Sequence, residues 1–195
     1  MKRLLYTLPV LLIVILFVKG CNYENPLVTN PQSIDIEGVK DAPVDTIMGN
    51  ISYTKSYETP LITSNNLVIG YLKVWLDTNK FYFMFTTTTL YYMKNIHLSV
   101  TQQRNKIPLT GNCPNIEAFN HQVHNLAGNT RLYTFQIPTT TFYLNDNTLY
   151  LSSEIDYENV SLGPDCLYAW AKGAPFPNCT EFAKYFGLKF HFKKT

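Results

Sequence analysis

Paired carboxylates, closely spaced histidines and cysteines are the residues whose types and spacing could do chemistry in this chain. Glu154 and Asp156 stand two apart in Thr148–Tyr157, a run that reads as a strand, so both carboxyl groups project from one face. Flanking a cleft, such a pair performs the acid and base work of glycoside hydrolysis. On an open strand face it is only solvated, and that is the expectation here. His121 and His124, with Glu117 and Asp165 elsewhere, are metal-ligating types. A His-x-x-His run in a loop has no helical frame to aim both rings at one ion, so a solvated loop is expected and no metal. Asp146 and Asp156 lack the spacing of a calcium loop. Ser99 and Ser161 have no nucleophile-elbow context, and Cys113 has no base that sequence reveals. No catalytic set emerges. Neither an enzyme nor a cofactor is expected, and no Gly-rich phosphate loop is present.

Aromatic side chains offer a different chemistry. Trp75 and Tyr82 fall opposite each other when Leu67–Leu76 and Phe81–Thr89 fold together about the turn Asp77-Thr78-Asn79-Lys80, with Thr78-Asn79 at its tip. In that register Leu76, Val74 and Leu72 face Phe81, Phe83 and Phe85, and Lys73 faces Met84. Asp77 and Lys80 close the loop as opposite charges. One face is wholly apolar and the other mixed, the pattern of a sheet that needs a second layer. On the mixed face Trp75, Tyr82 and Lys73 could form an aromatic platform for a sugar or a protein partner. The alternative is that Tyr71, Trp75 and Tyr82 pack beneath a loop or the N-terminal segment.

Further strand signals appear at Lys94–Thr101, with Ile96, Leu98 and Val100 on one face, and at Arg131–Ile137, where Leu132 and Tyr133 leave the inward face open. Thr148–Tyr157, Leu167–Ala171 and Phe182–Phe192 follow, with Pro and Gly punctuating the gaps. The fold class this predicts is all-β, an antiparallel β-sandwich of roughly seven to nine strands. Its domain runs from 65 to 195, after a signal segment (1–20) and a tether and N-terminal extension (21–64), where Ile34, Ile36 and Val39 and then Val44, Ile47 and Ile51 suggest some extended structure packing on the domain. The Asn105–Thr130 connection has no periodicity, as functional or mobile loops often do not. A formal net charge of +2 gives no reason to expect nucleic acid as a partner.

The start of the chain speaks of compartment. Lys2 and Arg3 precede Leu4–Val18, an apolar run shorter than the roughly 18–20 residues that span a bilayer. Gly20 then precedes Cys21, and Leu16–Cys21 resembles the lipobox of bacterial lipoproteins, with Lys19 where a small or apolar residue is commoner. That resemblance implies lipid attachment at Cys21 and a membrane partner through the anchor. An ordinary secretory signal is the alternative. Export would place Cys166 and Cys179 in an oxidising space, where a bond between them closes a short loop around the Trp170 region. Pairing of Cys113 with either stays open, as do free thiols.

The run Ala169-Trp170-Ala171-Lys172-Gly173, then Phe176, Phe182 and Tyr185-Phe186, is similar to a module recurring in secreted proteins and lipoproteins of Bacteroidota-type bacteria. Ile69-Gly70 with the hairpin, Ile96-His97-Leu98, and Ile107-Pro108-Leu109 before Gly111-Asn112 match it as well. Leu167-Tyr168 replaces the module's usual Glu-Thr, and Phe182 its usual Trp. The resemblance implies a β-sandwich on an exported protein of the cell envelope, at the outer membrane or cell surface, and no established catalytic residue. A binding or structural module with a carbohydrate or protein ligand is the resulting expectation. A glycoside-active enzyme and an assembly subunit pairing through a sheet edge are the alternatives, and the oligomeric state stays open.

Overall fold

The computed structural model describes residues 47–52, 55–142, 147–161 and 163–191; side chains at 47–52, 163–166 and 191 are outside the description. Every regular element there is a strand or a short 3-10 turn. The strands are β1 (Ile47–Ser52), β2 (Tyr57–Ile62), β3 (Val68–Leu76), β4 (Lys80–Thr87), β5 (Tyr91–Thr101), β6 (Leu109–Thr110) and β7 (Cys113–Pro114). Then come β8 (His121–Val123), β9 (Leu132–Pro138), β10 (Thr148–Asn159), β11 (Gly163–Ala171), β12 (Ala174–Pro175) and β13 (Lys184–His191). The all-β, mainly antiparallel architecture expected from the alternation is what forms.

The β3–β4 hairpin has the register its sequence specifies: Leu76 opposite Phe81, Val74 opposite Phe83, Leu72 opposite Phe85, and Trp75 opposite Tyr82. Asp77 closes the turn differently from the expected ion pair. Its Oδ1 accepts the Asn79 and Lys80 backbone N–H groups at 2.8 Å each, and its Oδ2 accepts the Tyr82 hydroxyl at 2.5 Å. The Lys80 ammonium instead donates to Gln136 Oε1 on β9 at 2.9 Å. Two backbone donors and a hydroxyl fix a carboxylate more firmly than one flexible exposed cation does.

Outward from the hairpin, the sheet runs β9–β4–β3–β2–β11–β10, with β5 on the far edge of β10. It curls until β5 meets the beginning of β9, where the Met93 N–H donates to Thr130 O at 2.9 Å. The two layers expected of a sandwich are therefore two walls of one nearly closed sheet. Phe81 on β4 meets Phe190 on β13 across the interior, ring centroids 5.3 Å apart. On β9 it is Ile137, with the partly buried Tyr133 and Phe135, that joins this core, while Leu132 stands outside. β2 lies between β11 and β3, and β1 adds to β13 as a parallel strand. The sheet thus begins before residue 65, drawing in strands the sequence leaves to the N-terminal extension.

A Cβ on Gly70 would collide with the Thr86 carbonyl on β4, and one on Gly173 with the Tyr185 carbonyl on β13. Both positions need the backbone of a neighbouring strand at close range. Gly70→Ala is expected to cost about 1–3 kcal/mol in urea unfolding. Gly128→Ala, where a Cβ meets nothing within 4 Å, is expected to leave the midpoint unchanged.

Candidate functional site

Two faces outside the main core carry the residues singled out above. One is the outer face of β2, β3, β4 and β9. There Trp75 and Tyr82 stack with ring centroids 4.9 Å apart and planes 2° from parallel. Each ring thus gives one of its faces to the other, so the pair is a slab rather than a flat floor. Both are half-buried, Tyr71 is exposed, and Lys73 stands between Glu58 and Met84 in the pairing. The hydrogen bond to Asp77 raises the Tyr82 phenol above its ordinary pKa, and the same bond is the main cause that lowers Asp77. Trp75, Tyr82 and Lys73 come together on this surface, with Thr86, Thr134 and Gln136 across the neighbouring strands.

The other is the outer face of β5, β10 and β11, and it is covered. The segment after β5 crosses it, through a 3-10 turn at Arg104–Lys106, the small β6–β7 hairpin and a 3-10 turn at Ile116–Ala118, and then enters the sheet as β8, paired with β5 on the edge away from β10. Ile107 and Phe119 from this segment join Trp170, Phe176, Ala183 and Tyr185 in a second apolar cluster. Trp170 is buried here rather than inside the curled sheet. The cover is fastened by a disulfide between Cys113 and Cys179, Cα atoms 4.9 Å apart. Cys179 therefore does not pair with Cys166, as the short loop between them suggested. Cys166 lies in β11, whereas β7 carries Cys113 to the loop before β13. Topology, not proximity in sequence, selects the partner. Cys21 lies outside the described residues.

Beneath the cover is a polar cluster. On β10 the Glu154 side chain lies opposite His97 of β5, and Asp156 opposite Asn95. Asn95 Nδ2 donates to Asp156 Oδ2 at 2.6 Å, and Asn95 Oδ1 accepts the Asn125 N–H at 2.9 Å. The His124 ring meets His97 edge-on, centroids 5.2 Å apart, and its Nε2 lies 3.0 Å from Gln122 Oε1. His121 points the other way, into the curled sheet beside Phe135. The His-x-x-His pair is therefore split between the two faces and cannot share an ion. Glu117 is exposed, and the Asp165 side chain and Asp146 are outside the description. Ser99 sits fully buried on β5, while Ser161 is exposed in the β10–β11 turn.

Burial pushes the Glu154 carboxyl well above its ordinary value, and the charge and hydrogen bond of Asp156 add to the rise. Asp156 is also raised by burial, against the Asn95 hydrogen bond and the charge of His97. His97 is lowered, first by burial, with Asp156 and Glu117 opposing. A solvated carboxylate face was expected; a covered pair is found, Glu154 buried and Asp156 half-buried. With Glu154 only 7% exposed and hydrogen-bonded to its neighbour, the pair does not flank an open cleft. His97 and Asn95 could be read from the alternation of β5 as its polar face. That the face would be covered had no periodic signal.

No protein-family model, curated protein or solved structure matches the chain.

A carboxyl whose native pKa is raised holds a proton the unfolded chain releases above about 4.5, so its stability contribution is lost as pH climbs from there. Glu154→Gln should therefore unfold at higher urea than the parent at pH 8, with a smaller difference at pH 5. His97 has the opposite sign: kept neutral by burial, it costs stability as pH falls below about 6.5. Non-reducing peptide mapping should recover a Cys113–Cys179 pair. Replacing both by Ser should cost about 4 kcal/mol in the loop-entropy model, the bonded residues being 66 apart.

Proposed function

We propose that this chain is an exported, lipid-anchored module of the cell envelope that binds carbohydrate on the outer face of β3, β4 and β9. The observation that carries the reading is the row of outward aromatic side chains, Tyr71 and the Trp75–Tyr82 stack, on one rigid hairpin. Tyr71 and Trp75 are four residues apart on β3, about 13 Å along a strand, a length that suits a short oligosaccharide. Aromatic rings offer apolar faces to the C–H side of a sugar, and Lys73, Thr86 and Gln136 offer hydrogen bonds to its hydroxyls. Pairing on both sides of β3 and β4 holds these side chains with little ordering cost on binding.

Support for export comes from the basic and apolar start of the chain, the Gly20-Cys21 junction and a disulfide that needs an oxidising compartment. The resemblance to an envelope module points the same way: two of its three glycines, Gly70 and Gly173, are close-approach positions, and its Trp170 lies in the second cluster. The function is display. A stiff sheet on a lipidated tether holds the aromatic face toward its ligand.

On a glycan array the parent should bind a defined subset, and Trp75→Ala and Tyr71→Ala should each weaken that binding at least about fivefold, as a lost stacking contact of about 1–3 kcal/mol implies. Unchanged binding in both variants rules out the aromatic face. Metabolic labelling with a palmitate analogue should mark the parent and leave Cys21→Ala unlabelled.

A further inference from the structure

Large apolar side chains are exposed unevenly. Leu67 (47%), Val68 (40%), Leu90 (52%), Leu132 (60%) and Val160 (52%) gather at one end of the curled sheet. Backbone hydrogen bonds tie their turns into a single rim. Thr88 N–H donates to Ile69 O at 2.9 Å, and Val160 N–H to Leu90 O at 3.0 Å. Thr87 N–H donates to Arg131 O at 3.0 Å, the residue before Leu132. The rim thus joins the β2–β3, β4–β5 and β10–β11 turns with the start of β9.

These turns also lack charge. Thr63–Val68, Thr87–Leu90 and Asn159–Ser161 contain only Ser, Thr, Asn, Leu and Val. The nearest cation, Arg131, is folded sideways over the Tyr92 ring, 4.5 Å from its centroid, and donates to Thr89 O at 2.6 Å. At the opposite end the connections carry Asp77, Lys80, Arg104 and Lys106. Five of the seven exposed aliphatics among the described residues thus sit at the uncharged end, the others being Leu109 in β6 and Leu167 in β11.

We infer that this rim docks onto the bilayer interface of the membrane to which the chain is tethered, an inference resting on the lipid-anchor reading of Cys21. The chemistry favours lipid over a folded partner. The aliphatics sit on separate projecting turns, each flanked by hydroxyl and amide groups, where a protein interface would want one packed patch. Separate tips can each enter the acyl boundary while their polar neighbours hydrogen-bond to head groups, with no charge to desolvate. The tether length allows it. β1 begins level with Tyr150, nine residues along β10 from Asn159 and so about 30 Å from the rim. The 25 residues at 22–46 reach up to ~85 Å, so the anchor and the rim can engage one membrane together. Docked this way, the strands stand off the surface; Tyr71, in one cross-strand row with Thr86 and Leu132, lies next to the rim, while the Trp75–Tyr82 stack at the far end of the hairpin stays open.

The test uses the full processed chain in phosphatidylethanolamine–phosphatidylglycerol vesicles carrying brominated acyl chains. Leu90→Trp and Val160→Trp should each be quenched several-fold more than Asn79→Trp at the opposite turn. Equal quenching at the three positions overturns the inference, even where palmitate labelling shows that Cys21 is acylated. Rim-selective quenching of a chain without lipid leaves the docking in place and removes only the anchor. A lipid-free dimer that dissociates in a Leu90→Asp, Val160→Asp variant, without rim-selective quenching, assigns the rim to a contact between copies and also overturns it.

Discussion

A strand paired along both edges and covered on both faces has no outlet to water, and β10 is in that position. β5 lines one edge, β13 and then β11 the other; the main core covers one face and the disulfide-fastened cover the other. Most polar side chains on its covered outer face then find a buried partner or change protonation, while Ser153, fully buried on the core side, has no hydrogen-bond partner among the described residues. Ser152 donates to Lys184 O at 2.9 Å, Asp156 takes the Asn95 amide, and Glu154 keeps its proton against Asp156. The cover answers with residues of matching kind, Gln122 and His124 over His97. Cover and strand specify each other, and the second apolar cluster closes over the arrangement.

The same constraint explains the division of labour between the two walls. The wall containing β10 is wrapped and fastened, so the polar groups on its outer face meet the cover rather than open solvent. The wall containing β3, β4 and β9 has no segment among the described residues fastened over it in this way. Its outward side chains are therefore held by the sheet alone, which leaves Tyr71 and the Trp75–Tyr82 stack facing outward.

How much of this was legible depends on where periodicity operates. The hairpin register could be read because two alternating runs meet at a turn whose residues fix the count. β9 could not be oriented, since Leu132 and Tyr133 are adjacent and both apolar; packing of Phe135 and Ile137 beside Phe83 and Phe81 decides it. β2 was obscured by Pro60, yet Pro60 still accepts the Lys172 N–H and the strand joins the sheet. The cover is built from Ile107, Phe119 and Phe176 on irregular backbone, where neither period applies. The cysteine partner was hidden for the same reason, because it depends on where that irregular backbone goes. The apolar rim was equally silent, since single aliphatics in polar turns become a pattern only when the turns meet in space.

β1 pairs with β13 and β2 with β11, so the earliest described strands are seated against the latest. Contacts of such long sequence separation carry a large loop-closure cost and form slowly. β2 pairs at once with β3 and gains its second edge only with β11, whereas β1 has no edge to join until β13 has been made. A chain built this way closes its sheet late, when strands far along the sequence arrive to seat the first ones.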